Sequence, residues 1–123
     1  MNFSQRSAKL KDVNYLDLKP IRNVNEEVDS NNIVTVLIPK FKSRFAKKYL
    51  EPRLKFPFIK LKLDELGSAS WIAIDGKKNV GEISNELFQK FGEKIQPAEE
   101  RLTKFLTQLY EHRLITFEEL KGD

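Results

Sequence analysis

The sequence predicts an α+β domain, a three-stranded antiparallel sheet followed by three helices, on three observations. Alternating and β-branched runs gather before residue 64, apolar residues recur at helical spacing after it, and capping and turn residues separate the elements. At 123 residues the chain has the length of one domain, and its 40% hydrophobic and 33% charged content is that of an ordinary globular protein. Residues 1–20 lack sustained periodicity and read as a flexible N-terminal extension, although Tyr15, Leu16 and Leu18 are candidates to dock on the domain. Residues 21–123 form the single domain, with a basic insert at 40–57.

The first strand, Val24 to Val28, is the weaker; the second, Ile33-Val34-Thr35-Val36-Leu37-Ile38, is strongly β-branched. Asp29-Ser30-Asn31-Asn32 between them is a run of turn formers, so the pair reads as a hairpin. Pro39 ends the second strand, since it has no N–H to give the ladder. In the insert, Phe41, Phe45 and Tyr49 fall at i, i+4 and i+8, the spacing of a short helix with an aromatic packing face. Phe58-Ile59-Lys60-Leu61-Lys62-Leu63 then alternates, with Ile59, Leu61 and Leu63 on one face and Phe58, Lys60 and Lys62 on the other. This third strand is expected to be half-buried with one wet face.

Asp64 is placed to cap the first helix, whose stripe holds Leu66, Ala69, Ser70 and Ala73, widened by Trp71 and Ile72. Asp75-Gly76 stops it. Asn79-x-x-Glu82 is a capping box that opens the second helix, with Val80, Ile83, Leu87 and Phe91 on its inner face. Pro97 suits the first turn of the third helix, whose stripe is Leu102, Phe105, Leu106, Leu109 and Tyr110. Leu114 to Phe117 is a terminal strand or an extended tail. Three helices with a small antiparallel sheet are the parts of a winged-helix-like domain.

The composition speaks against an enzyme. There is no Cys, and the one His, His112, stands in the last turn of the third helix, where it favours the helix dipole. A single His without Cys cannot supply the usual zinc shell, so no metal or other cofactor is expected. Gly67, Gly76 and Gly81 lack the spacing of a phosphate loop. The paired acids Glu99-Glu100 and Glu118-Glu119 are sequence neighbours, which do not face each other on a helix. No run approaches the ~20 apolar residues of a membrane span, and Met1 to Arg6 lacks a signal-peptide core, so the expected location is cytoplasmic.

Charge points instead to binding. Residues 38–62 hold nine Lys or Arg against Glu51 alone, whereas the rest of the chain has 13 basic against 17 acidic residues. Such a segment is either a solvated face or a surface for nucleic acid, anionic membrane or an acidic peptide. If the third strand lies at a sheet edge, an extended peptide can add to it through backbone hydrogen bonds. Lys60 and Lys62 there would either meet acidic side chains or keep edges from aggregating.

From Leu63-Asp64 through Trp71, Asp75-Gly76, Val80, Glu82 and Ile83, the order of marks resembles the PqqD family, small proteins named for pyrroloquinoline quinone (PQQ) biosynthesis. The resemblance spans about residues 58–117 and, more loosely, the hairpin at 23–38. It implies a non-catalytic peptide recognition element: a chaperone that binds the leader of a ribosomally made precursor peptide and presents it to a modifying enzyme. The partner implied is a radical S-adenosylmethionine (radical SAM) maturase, which carries its own iron–sulfur chemistry. The leader would pair as an extra strand with the third strand and lie against the third helix. Carried over to this chain, the groove has Phe58, Lys60 and Lys62 on one side and Arg101, Lys104, Phe105 and Gln108 on the other. The extension and basic insert make this chain longer than compact family members, and Asn79 stands where Thr is frequent. The alternative reading is a winged-helix DNA-binding protein using the basic segment 40–62, with steep salt dependence. A third is a homodimer pairing strand edges between two chains.

Overall fold

The computed structural model describes residues 14–39 and 58–120. The Phe41/Phe45/Tyr49 helix, the basic insert and the first 13 residues of the extension lie outside the described residues.

Among the described residues, four strands precede the helices and one follows them. β1 (Pro20–Arg22), β2 (Asn25–Val28), β3 (Val34–Pro39) and β4 (Phe58–Lys62) lead to α1 (Glu65–Ala73), α2 (Val80–Phe91), α3 (Ala98–Glu111) and β5 (Ile115–Phe117). β2, β3 and β4 form the expected antiparallel sheet with β3 in the middle. Its first turn is built by Asp29, whose Oδ1 accepts from the backbone N–H of Asn31 at 2.8 Å and of Ile33 at 3.0 Å. Asn32 takes a left-handed φ of 62°, a conformation Asn tolerates better than most residues.

β1 and β5 make a second sheet, a pairing that the sequence pattern does not predict. Pro20 stands opposite Phe117, and Arg22 opposite Ile115. The residues before β1 pack down with it. Tyr15–Asp17 is a 3-10 turn, Leu18 is buried, and the Leu18 carbonyl accepts from Val80 N–H at 2.8 Å. Tyr15 meets Phe117 edge to face at 5.6 Å. Its hydroxyl accepts from Thr107 Oγ1 at 3.0 Å, and burial pushes its pKa up to about 12.

The helices start where their caps predict. Gly67 N–H donates to Asp64 Oδ1 at 2.7 Å. Asn79 and Glu82 close a reciprocal capping box at 2.8 and 2.9 Å. α1 ends at Ala73, slightly before the Asp75-Gly76 turn, where Gly76 adopts φ 78°. Pro97 is the N-cap of α3 and not its first helical residue. Trp71, Ile83, Leu106, Tyr110, Val34 and Val36 are fully buried and form the centre of the core. A buried serine joins sheet to helix: Ser68 Oγ accepts from Val34 N–H at 2.8 Å and donates to the Leu63 carbonyl at 3.4 Å.

Trp71 also brings a polar group inward. Its indole N–H donates to Glu26 Oε1 at 2.8 Å, and Arg22 donates to the same oxygen at 2.8 Å while its Nε donates to the Ile74 carbonyl at 2.9 Å. Burial raises the Glu26 pKa, but the Trp71 and Arg22 hydrogen bonds and the Arg22 charge outweigh it. The carboxyl is held below its ordinary 4.5. A folded pKa below the unfolded one stabilises above the unfolded value, and that contribution is lost as pH falls through the folded value. Glu26→Gln is therefore expected to flatten the acid limb of unfolding free energy against pH. A residual slope should remain from Asp75, whose carboxyl is lowered by backbone N–H bonds from Lys78 and Lys77. A limb identical to wild type in urea titrations from pH 7 to pH 3 would contradict this role.

One expectation about β4 is corrected. The strand is not half-buried; all five of its residues are exposed. Leu61 stands opposite buried Val36, and Ile59 opposite Ile38, so both lie on the helix-covered side of the sheet. Yet Ile59 is 52% and Leu61 40% exposed. The alternation assigned the face correctly, but the helices cover β3 and leave β4 overhanging.

Candidate functional site

Among the described residues β4 is an edge strand, and its pairing parity fixes what it offers. In an antiparallel ladder, the N–H and C=O of alternate residues point to opposite neighbours. Leu63 N–H donates to the Val34 carbonyl at 2.9 Å, so Leu63, Leu61 and Ile59 direct their backbone groups at β3. Phe58, Lys60 and Lys62 consequently direct theirs away from the sheet. Among the described residues no strand pairs on that side.

The side chains divide the other way. Phe58, Lys60 and Lys62 stand opposite Pro39, Leu37 and Thr35, on the outer face of the sheet, opposite to Ile59 and Leu61, with Lys62 at the strand's end also bordering the cleft beyond it. An ion pair between Lys60 Nζ and Glu27 Oε1 at 3.4 Å, reaching across β3 on that face, agrees with this.

Beyond the end of β4 opens a cleft of about 460 Å³ between α1 and α3. Leu63, Leu66, Leu87, Ile95, Leu102 and Phe105 give it an apolar lining, while Lys62, Asp64 and Arg101 add charge. Gly67 helps to keep it open. A Cβ there would come within 3.1 Å of Asp64 Oδ1 and 3.7 Å of the Phe105 ring. Arg101 is steadied by donation from its guanidinium to the Lys94 carbonyl at 3.0 Å. A smaller cleft between α1 and α2 has Lys78 and Lys90 around it, but Lys78 is already bound to Glu86 at 2.7 Å.

The structure thus brings Lys62, Arg101 and Phe105 together at the cleft. Lys104 and Gln108 continue the exposed face of α3 without lining it, and Phe58 and Lys60 lie along the open edge. Ile59, Leu61, Leu66 and Ile95 were absent from the expected groove. The period-2 pattern marks Ile59 and Leu61 as the buried face of the strand, whereas the structure leaves both exposed. Among the described residues no group of three His, Asp or Glu side chains is gathered to hold a metal, and no helix is long and apolar enough to cross a membrane.

The arrangement can accept an extended chain by hydrogen bonds along β4 and take apolar side chains on its helix side. Residues 60–115 match the family model described as coenzyme PQQ synthesis protein D (PqqD), a span that holds most of β4, all three helices and the start of β5. No curated protein and no solved structure matches the chain.

Proposed function

We propose, on the match of residues 60–115 to the PqqD family model, that this chain is a non-catalytic, cytoplasmic peptide chaperone. It binds the leader of a ribosomally made precursor by strand addition to β4 and presents it to a radical SAM maturase. The observation that carries this reading is the edge of β4 that no other described strand pairs, with the backbone groups of Phe58, Lys60 and Lys62 directed outward beside an apolar cleft. Backbone pairing supplies affinity in strand addition, and side-chain pockets supply selectivity. Arg101, Lys104, Phe105 and Gln108 on α3 flank the bound leader in this reading.

Titration of ¹⁵N-labelled protein with leader segments from small reading frames beside its gene tests the proposal. Amide shifts clustered on 58–63 and 101–108 are the expected result. Shifts only with duplex DNA would replace it by the nucleic-acid reading. Reversing Lys60 and Lys62 together to Glu is expected to weaken leader binding at least tenfold, most steeply at low salt, where surface charges are least screened. The fold should survive, because an ion pair as exposed as Lys60–Glu27 contributes little to stability. Unchanged affinity in this variant would argue against the groove.

A further inference from the structure

We propose that the strand β4 accepts is one in which acidic and large apolar residues alternate, a deepening that rests on the peptide-binding reading above. An added strand continues the pleat, so its residues fall in turn on the outer and inner faces of the sheet. On the outer face they meet Phe58, Lys60 and Lys62. Glu27 reaches Lys60 only across a solvated 3.4 Å, and no carboxylate among the described residues pairs with Lys62. Opposite charges placed across neighbouring strands attract, so this face selects carboxylates.

On the inner face the added strand meets Ile59 and Leu61, 52% and 40% exposed on the helix side of the sheet. The apolar cleft bordered by Leu66 and Phe105 lies beyond the strand's end on that side. Large apolar side chains there would cover the overhanging strand, and burial of such surface favours them. Because cations and apolar surface occupy opposite faces, acids must recur at every second position, with apolar residues between them. Acids and apolar residues in separate blocks cannot satisfy both faces.

Charge also argues against a second copy of this chain as the occupant. Antiparallel pairing of β4 with itself about Lys60 sets Lys60 opposite Lys60 and Phe58 opposite Lys62. Four ammonium groups would then crowd one face, and like charges directly opposite destabilise a sheet.

The test uses the full chain and two peptides of identical composition. In one, Asp or Glu alternates with Leu, Ile or Phe; in the other, acids and apolar residues are blocked. Affinity is measured by NMR titration, with nuclear Overhauser contacts recorded on the tighter complex. The alternating peptide is expected to bind at least tenfold more tightly, with its apolar side chains contacting Ile59 and Leu61. Equal affinities with shifts at 58–62 would overturn the alternation and leave peptide binding intact. Binding of neither peptide would also overturn the alternation, and leaders from neighbouring reading frames would then decide whether edge binding survives. A peptide-free dimer with 58–62 protected would overturn it in favour of a second copy.

Discussion

Trp71→Ala is expected to lower the unfolding free energy by about 3–5 kcal/mol, the usual cost of deleting a fully buried large aromatic. Trp71 is completely buried on α1, where the helix meets the sheet, and its indole N–H satisfies Glu26. Truncation would open a cavity between layers and remove one of the hydrogen bonds that keep Glu26 ionised. A small domain is stable by roughly 5–15 kcal/mol, so the variant would be marginal or unfolded at room temperature. Trp71→Phe, which keeps most of the ring volume and loses the N–H, should cost distinctly less. Urea denaturation followed by circular dichroism separates the two. A loss below about 1 kcal/mol for the alanine variant would contradict the placement of Trp71 at the centre of the core.

Ile59→Asp is expected to act on binding and spare folding. The side chain is half exposed on an edge strand, so its stability cost should stay near 0.5–1 kcal/mol. The same change puts a carboxylate on the face that an added strand would cover with apolar residues. Leader affinity should fall at least tenfold, about 1.4 kcal/mol of binding free energy. Calorimetry on the folded variant reads this directly. Wild-type affinity would mean that the helix side of β4 is not part of the binding surface.

Features written in neighbouring residues were legible in the sequence. The Asn79–Glu82 capping box, the Asp64 cap, the turn at Asp29 to Asn32 and the stripe Leu102, Leu106, Leu109, Tyr110 each rest on contacts within a few residues. The β1–β5 pairing was not legible. It joins three-residue strands from opposite ends of the domain, and such short segments carry no period of their own. The burial of β4 failed for a related reason: alternation tells which face is apolar, but only the placement of α1 and α3 decides whether anything covers it. The candidate site divides in the same way. Arg101, Phe105 and Gln108 share a helix face by spacing alone. That Phe58, Lys60 and Lys62 offer their backbone outward, with their side chains on the outer face, depends on register against β3. Register is set by the whole sheet, beyond the reach of local pattern.

Amide hydrogen exchange on the labelled protein, with and without a saturating leader peptide, tests strand addition most directly. The N–H groups of Ile59 and Leu61 point at β3 and should be protected in both states. Those of Phe58, Lys60 and Lys62 point away from β3, where no described strand pairs, and should exchange freely until the peptide pairs with them. New protection at these three alternate amides is the expected result. Binding that leaves them unprotected would contradict strand addition at β4.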